Sequence, residues 1–328
     1  MFLPLQRCQV FAERGRGLLQ VSVVIPVLNG GRLLQEALAA IHRQHDDFSL
    51  EVLCLDSGSC DGSHEVCVQY GARVIKVPPG SFNHGATRNH GIALSRGEFV
   101  VLLVQDAVPV GERWLAALLQ NFTEPDVAGV YCRQIPRPDA DVLTRRQLDN
   151  WVTGKPERKV QQLNGRTWET LTPWQRVELC TFDDVCACLR RTVWERISYK
   201  ATYFGEDVAW GKEVIQAGYT LVYEPEAAVI HSHDRSAWYE YNRTYLCHRR
   251  LYDLFGLQTV PTWQHAWAFT VAGMLKDSVF VWRQEKNLAR RLSLLARVPL
   301  LTYAAVFGQY QGARDEQQHK PLRRGVGV

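Results

Sequence analysis

The sequence is poor in long apolar runs. No stretch reaches the ~18 uninterrupted apolar residues of a membrane-spanning helix. The nearest approaches, Trp263 to Trp282 and Leu292 to Phe307, read as amphipathic or buried helices. Residues 1–20 lack the features of a signal peptide, since Arg7, Arg14 and Arg16 interrupt their short apolar runs. No GxGxxG follows the first β-branched run, which argues against a dinucleotide-dependent oxidoreductase. Cys186 and Cys188 stand two apart, not in the CxxC spacing of a zinc ribbon or redox pair; in a strand both point to one face, as buried thiols. Nine cysteines, an odd number with no secretory signal before them, predict a reduced, cytoplasmic chain. Excess charge is also scarce. A net +4 gives no reason to expect a nucleic-acid partner. Internal repeats are absent.

What remains is the composition of an ordinary globular chain. Its 328 residues suffice for one large α/β domain, or one domain with a smaller appendage. Val21 to Val27 is a β-branched run that ends at the turn Asn29-Gly30-Gly31. Leu34, Leu38 and Ile41 then repeat at helical spacing. Leu50 to Leu55 is a second strand, stopping at the polar loop Asp56 to Ser63, with a helix following over Glu65 to Tyr70. Arg73 to Val77 is a third strand. After a helix from about Ala86 to Ser95, Phe99 to Val104 is fully apolar and so central. Strands alternating with helices predict a mostly parallel sheet covered on both faces, with ligands at the carboxyl ends of its strands. Asp56 and Gln105-Asp106 both fall at that edge.

Trp114 to Phe122 reads as a helix and Val127 to Cys132 as a strand. Arg133 to Thr172 is long and polar, a candidate insertion or mobile loop. Phe182 to Leu189, a helix over Glu206 to Ala217 and short strands at Thr220 to Tyr223 and Ala227 to Ile230 follow. The region closes on His231-Ser232-His233. From about Trp238 the chain is helical, aromatic and basic, with Arg249, Arg250, Arg283, Lys286, Arg290, Arg291, Arg297, Arg323 and Arg324. Apolar faces flanked by arginines and tryptophans suit an anionic membrane surface. Packing on the first domain or on a second subunit suits them equally. The expected organisation is thus an extension (1–20), an α/β domain (21–237) and a basic helical region (238–328).

Four segments, VSVVIPVLNGG, LCLDSGSCDGS, GATRNHGIALSRGEFVVLLVQDAVP and GEDVAWGKEVIQAGY, stand in an order and spacing that resemble family 2 glycosyltransferases of the GT-A fold. FNHGATRN at Phe82 to Asn89, QDAVP at Gln105 to Pro109 and AAVIHSH at Ala227 to His233 are similar to the bacterial rhamnosyltransferase branch. The region after Tyr239 is not covered. The resemblance implies a GT-A-like (Rossmann-like) α/β sheet. It implies inverting transfer of a sugar, L-rhamnose from dTDP-L-rhamnose, to a glycan or lipid-linked glycan in polysaccharide assembly. A UDP-hexose donor would share every motif but the branch details, and a non-catalytic nucleotide-sugar-binding scaffold stays open.

The resemblance puts Pro26, Asn29, Asp56, Asn83, His84, Arg88, Gln105 and Asp106 at the donor. A carboxylate at Asp56 can accept the N3–H of uracil or thymine, though Asp-Ser-Gly acids also serve simple turns. Arg88 suits base or pyrophosphate; Asn83 and His84 suit ribose or sugar, or a helix cap. The family's Asp-x-Asp metal motif keeps one acid here, Asp106, and a divalent cation (Mg²⁺ or Mn²⁺) would take a further ligand from His231 or His233. The family's catalytic base maps to Asp207, with Glu206 as helper or cap. Asp184 is placed near the acceptor, or in a surface turn. Trp210 lines the acceptor or the core.

Overall fold

The computed structural model describes residues 19–44, 48–78, 80–233 and 235–323. The extension at 1–20, apart from Leu19 and Gln20, lies outside the described residues with Cys8, as does Arg324. The elements run β1 (Leu19–Val27), α1 (Gly31–His42), β2 (Phe48–Asp56), α2 (Ser63–Gln69), β3 (Arg73–Lys76), α3 (His84–Leu94), β4 (Phe99–Leu103), β5 (Val108–Pro109), α4 (Trp114–Leu119), β6 (Val127–Ile135), α5 (Val142–Asn150), β7 (Lys159–Gln161), α6 (Pro173–Cys180), β8 (Cys186–Arg190), α7 (Arg191–Trp194), α8 (Glu206–Gln216), β9 (Thr220–Ile230), α9 (Ala237–Phe255), α10 (Trp263–Gln284) and α11 (Leu288–Gln317).

By internal contacts the chain forms two units. The first comprises 1–135, 151–169 and 178–231; the second comprises 136–150, 170–177 and 232–328. The boundary before the C-terminal helices therefore falls after His231.

The first unit is one sheet in the order β3-β2-β1-β4-β8-β6-β9-β5, with β7 beside β9. β1 pairs parallel with β2 and β4, and β2 with β3. Val21, Val23, Val24 and Ile25 are all buried, because helices cover both faces of this parallel group. Val27 lies level with Asp56, so β1 and β2 end together. Their loops, and the one after β4, open at a single edge. β8 runs antiparallel between β4 and β6, which makes the sheet mixed. β6 and β9 are parallel, with an irregularity. Cys132 pairs with Glu224 but Arg133 with Ala228, so three extra residues bulge from β9.

The stretch 133–172, read as one polar loop, is instead structured. It contains the end of β6, α5 and β7, and its pieces belong to different units. The polar pattern misled because their apolar partners are remote in sequence. Leu143 of α5 packs with Val281, Leu294 and Val298, and β7 is a short strand on β9.

In the second unit Ser236, Thr262 and Asn287 cap α9, α10 and α11 through side-chain oxygens. α9 and α11 approach closely where glycines permit it. A Cβ on Gly308 would sit 2.1 Å from Thr244 Oγ1, and one on Gly312 would sit 2.2 Å from the Tyr245 carbonyl. Asp315 then accepts from Tyr245 and Arg323. By length and composition alone, α11 qualifies as a membrane span, and it is the one such helix among the described residues. The absence of a long uninterrupted apolar run had argued otherwise.

Candidate active site

The edge at the carboxyl ends of β1, β2 and β4 is held by side chains bonding to backbone. Gln105 Oε1 accepts from the Leu28 amide at 2.9 Å, and Gln105 Nε2 donates to the Leu28 carbonyl at 3.1 Å. Asn29, at φ +50°, accepts from the Cys60 amide, and its own amide donates to Ser59 Oγ. Gln105 and Asn29 thus brace the loops around half-buried Pro26. Asp56 Oδ1 accepts from the Gly58 and Ser59 amides at 3.1 and 2.8 Å. Burial pushes this acid up, but those hydrogen bonds outweigh it and hold it below the usual carboxylate range. Asp56 is therefore an ionised acceptor at the sheet edge, and it also forms the turn.

A second cluster joins α3 to α8. A Cβ on Gly85 would lie 2.5 Å from the Lys200 carbonyl, so only glycine lets α3 seat against this loop. Asn83 caps α3 through the Ala86 amide and donates to the Thr202 carbonyl at 2.8 Å. α8 begins after Gly205, at φ +66°, with Glu206 and Asp207 in its first turn, where the helix dipole favours acids. Arg88 is 4% exposed. It donates to Glu206 through Nη1, and its Nε faces Asp184 Oδ2 at 3.4 Å. Tyr199 donates to Asp184 Oδ1 at 2.9 Å.

The structure places three of the expected site residues. The Arg88 guanidinium engages two buried carboxylates, Asp184 and Glu206. Asp184 is 2% exposed, so it is neither an acceptor contact nor a surface turn. Trp210 is core. Its ring lies 4.8 Å from that of Phe182 and 5.6 Å from that of Tyr199, and its Nε1 donates to the Ile197 carbonyl.

Asp183, Asp184, Glu206 and Asp207 outnumber the one arginine among them. Burial, then Glu206, Asp184 and Asp183, push Asp207 well above the ordinary carboxylate range. Burial pushes Asp184 to about 7 despite Arg88, and raises Asp183. Burial lowers the proton affinity of Arg88, but Asp184 and Glu206 more than reverse this, so its charge is secure. Burial lowers His84, which is neutral near pH 7. Asp207 keeps part of its surface open and accepts from the Val208 amide at 2.7 Å. A partly open carboxylate with raised proton affinity has the properties of a general base.

The third feature lies at the ends of β4 and β9. Asp106 Oδ2 and His231 Nε2 stand 3.7 Å apart. Two donors each ~2.1 Å from one cation stand roughly 3–4 Å apart, so this carboxylate–imidazole pair fits a divalent ion. His231 is buried, while His233, two residues on, is exposed. Behind the pair, Gln134 Oε1 contacts His231 Nδ1 at 2.9 Å, and Gln134 Nε2 donates to Asp183 Oδ2 at 2.8 Å. Sequence reasoning missed Gln134. It lies in a polar stretch with no motif around it.

A parallel α/β half with its loops at one edge, an acid-rich helix start and a carboxylate–imidazole pair together define a GT-A-type glycosyltransferase. A model of glycosyl transferase family 2 matches residues 22–197. The chain belongs to that family. It is 30% identical over 230 residues to the O-antigen chain rhamnosyltransferase WbaN of Salmonella anatum, covering 68% of this chain and 69% of WbaN. It is 28% identical over 233 residues to RfbN of Salmonella typhimurium, also an O-antigen chain rhamnosyltransferase, covering 69% of this chain and 70% of RfbN. In fold it is similar to the mannosyltransferase PcManGT of Pyrobaculum calidifontis, solved with GDP-Man and Mn²⁺ (TM-score 0.59, 16% identity, 96% of this chain and 94% of that one). It is also similar to glucosyl-3-phosphoglycerate synthase of Mycobacterium tuberculosis, solved with Mn²⁺ and UDP (TM-score 0.52, 16% identity, 78% and 86%).

Proposed function

We propose that this glycosyltransferase moves L-rhamnose from dTDP-L-rhamnose, with inversion, onto a glycan or lipid-linked glycan during cell-surface polysaccharide synthesis. The observation that carries the chemistry is the raised proton affinity of Asp207 at an open helix start. In this reading Asp207 takes the proton of the acceptor hydroxyl as the oxygen attacks the anomeric carbon, and the nucleoside diphosphate leaves. Asp56 accepts N3–H of the thymine. Glu206 is held by Arg88 and adds the negative charge that keeps Asp207 basic. Asp106 and His231 would hold a divalent cation. When bound, the cation neutralises charge on the departing diphosphate. The rhamnosyl donor is supported by the likeness to WbaN and RfbN over two-thirds of each chain.

Calorimetry with dTDP-rhamnose, UDP-glucose and UDP-galactose, each with Mg²⁺ or Mn²⁺ and again with chelator, tests this reading. dTDP-rhamnose is expected to bind selectively, with chelator weakening it at least ~10-fold, about 1.4 kcal/mol. Preference for a UDP-hexose would overturn the donor. No binding of any donor would favour the non-catalytic scaffold.

We further infer that the second unit sits on the cytoplasmic face of an anionic membrane. Trp267, Val271, Leu275, Val279 and Trp282 are exposed and lie along one side of α10, and Leu288, Leu292, Leu300 and Tyr303 are exposed on α11. The Trp267 ring touches Tyr303 at 5.9 Å, which joins the two faces. The turn between the helices adds exposed Arg283, Lys286 and Arg290, with Arg291 over the Trp282 ring. Basic groups beside an apolar, tryptophan-bearing face match anionic headgroups. The close packing of α11 on α9 at Gly308 and Gly312 favours lying on the bilayer over crossing it.

In cosedimentation, the chain is expected to bind phosphatidylcholine vesicles holding about a third phosphatidylglycerol, and not phosphatidylcholine alone. Leu275→Glu is expected to weaken binding ~10-fold or more. A stable dimer that ignores both vesicles would assign the face to a subunit interface instead.

A further inference from the structure

We propose that Gln134 is a positioning residue that sets the tautomer of His231 and so turns the Nε2 lone pair toward Asp106. The proposal rests on the metal-site reading above, but its first readout does not.

The argument is one of donors and acceptors. Asp183 Oδ2 lies 2.8 Å from Gln134 Nε2. Gln134 Nε2 is an NH₂ and only donates, so this hydrogen bond to Asp183 Oδ2 fixes which end of the amide faces the acid. The amide oxygen must then face His231, whose Nδ1 lies 2.9 Å away. A carbonyl oxygen has no proton to give, so His231 Nδ1 carries the hydrogen. In the neutral ring Nε2 is then the acceptor, and Nε2 is the atom 3.7 Å from Asp106 Oδ2. Gln134 and His231 are each 7% exposed, so water has little access to substitute for the amide. Asp183 itself is held, since the Val185 amide donates to its Oδ1 at 3.0 Å. The relay Asp183–Gln134–His231–Asp106 thus links the acid cluster to the cation pair through one glutamine. A partner that fixes the other nitrogen of a metal-binding imidazole typically governs metal affinity 10–100-fold.

The test uses the full chain labelled with ¹⁵N, without metal, at a pH where the imidazole is neutral. A long-range proton–nitrogen spectrum reports which ring nitrogen of His231 carries hydrogen; the signal is assigned by its loss in His231→Gln. The native chain is expected to show Nδ1–H. Gln134→Leu removes the acceptor and is expected to move the ring to a mixture rich in Nε2–H. Gln134→Glu keeps an oxygen facing Nδ1, with its second oxygen sharing a proton with Asp183, and is expected to retain Nδ1–H, a rescue that packing alone would not give. Thermal melts establish that each variant is folded. In parallel, Mn²⁺ titration followed by electron paramagnetic resonance is expected to show ~10–100-fold weaker binding in Gln134→Leu.

An unchanged Nδ1–H signal in Gln134→Leu would overturn the proposal. If the native chain takes up no Mn²⁺ while the ring still responds to Gln134→Leu, the tautomer role stands and the metal reading fails.

Discussion

Asp207→Asn is expected to abolish sugar transfer while leaving the donor bound and the fold more stable than before. The amide cannot take a proton, so turnover should fall ~10²–10⁴-fold, the usual worth of a general base. Its oxygen can still accept from the Val208 amide, so the first turn of α8 keeps its geometry. The stability gain follows from the sign of the shift. The native pKa of Asp207 is raised by burial and by Glu206, Asp184 and Asp183. Such a group favours the fold fully only below its unfolded pKa, and that contribution is lost as pH rises through the folded value. Asparagine has no such loss. The melting temperature of the variant should therefore exceed that of the native chain near neutrality, by about 2–4 °C for each kcal/mol of relieved repulsion. The gap should close in acid. Donor calorimetry, turnover and melts across pH check the three parts. Turnover within tenfold of native would remove Asp207 from the chemistry.

Arg88→Met should fail in the opposite way. The guanidinium is the cation between Asp184 and Glu206, and all three are buried. Removing it strands two carboxylates in the interior, a loss of about 3–5 kcal/mol. Burial already pushes Asp184 up to about 7 despite the arginine, and without Arg88 it should rise further. Raised carboxyls are tolerated when protonated, so the variant should be closest to native stability at low pH and fall away as pH rises through neutrality. Urea melts at about pH 5 and about pH 8 would show this, with a much smaller difference for the native chain. Arg88→Lys keeps the charge but cannot reach both acids in one plane, and should lie between. If Arg88→Met is equally stable at both pH values, the guanidinium does not neutralise the cluster.

Much of the donor half was legible because its signals are local. The β-branched run of β1, the apolar Phe99–Leu103 and the loops after them give strand ends at one edge, and with them Asp56 and Asp106. The rest depends on pairs far apart in the chain. Arg88 meets Glu206 across 118 positions and Gln134 meets His231 across 97, and no spacing rule connects them. Arg88 was expected at the base or pyrophosphate because a guanidinium suits planar, anionic recognition; its burial between two acids is a matter of packing. Trp210 was open between acceptor and core, and Asp184 between acceptor and surface turn; both are buried. The helices α9 to α11 were expected, but which of their faces stay open depends on packing that sequence periodicity does not give.

The three residues that bulge from β9 between Glu224 and Ala228 are an odd number. Side chains alternate along a strand, so an odd insertion reverses which side of the sheet every later residue faces. His231 lies just beyond. A one-residue slip of the strand beyond the bulge, with the bulge kept at three residues, would present a neighbour, isoleucine or serine, where the imidazole now stands. The bulge therefore fixes which side of the sheet His231 faces, and with it whether an imidazole can stand beside Asp106.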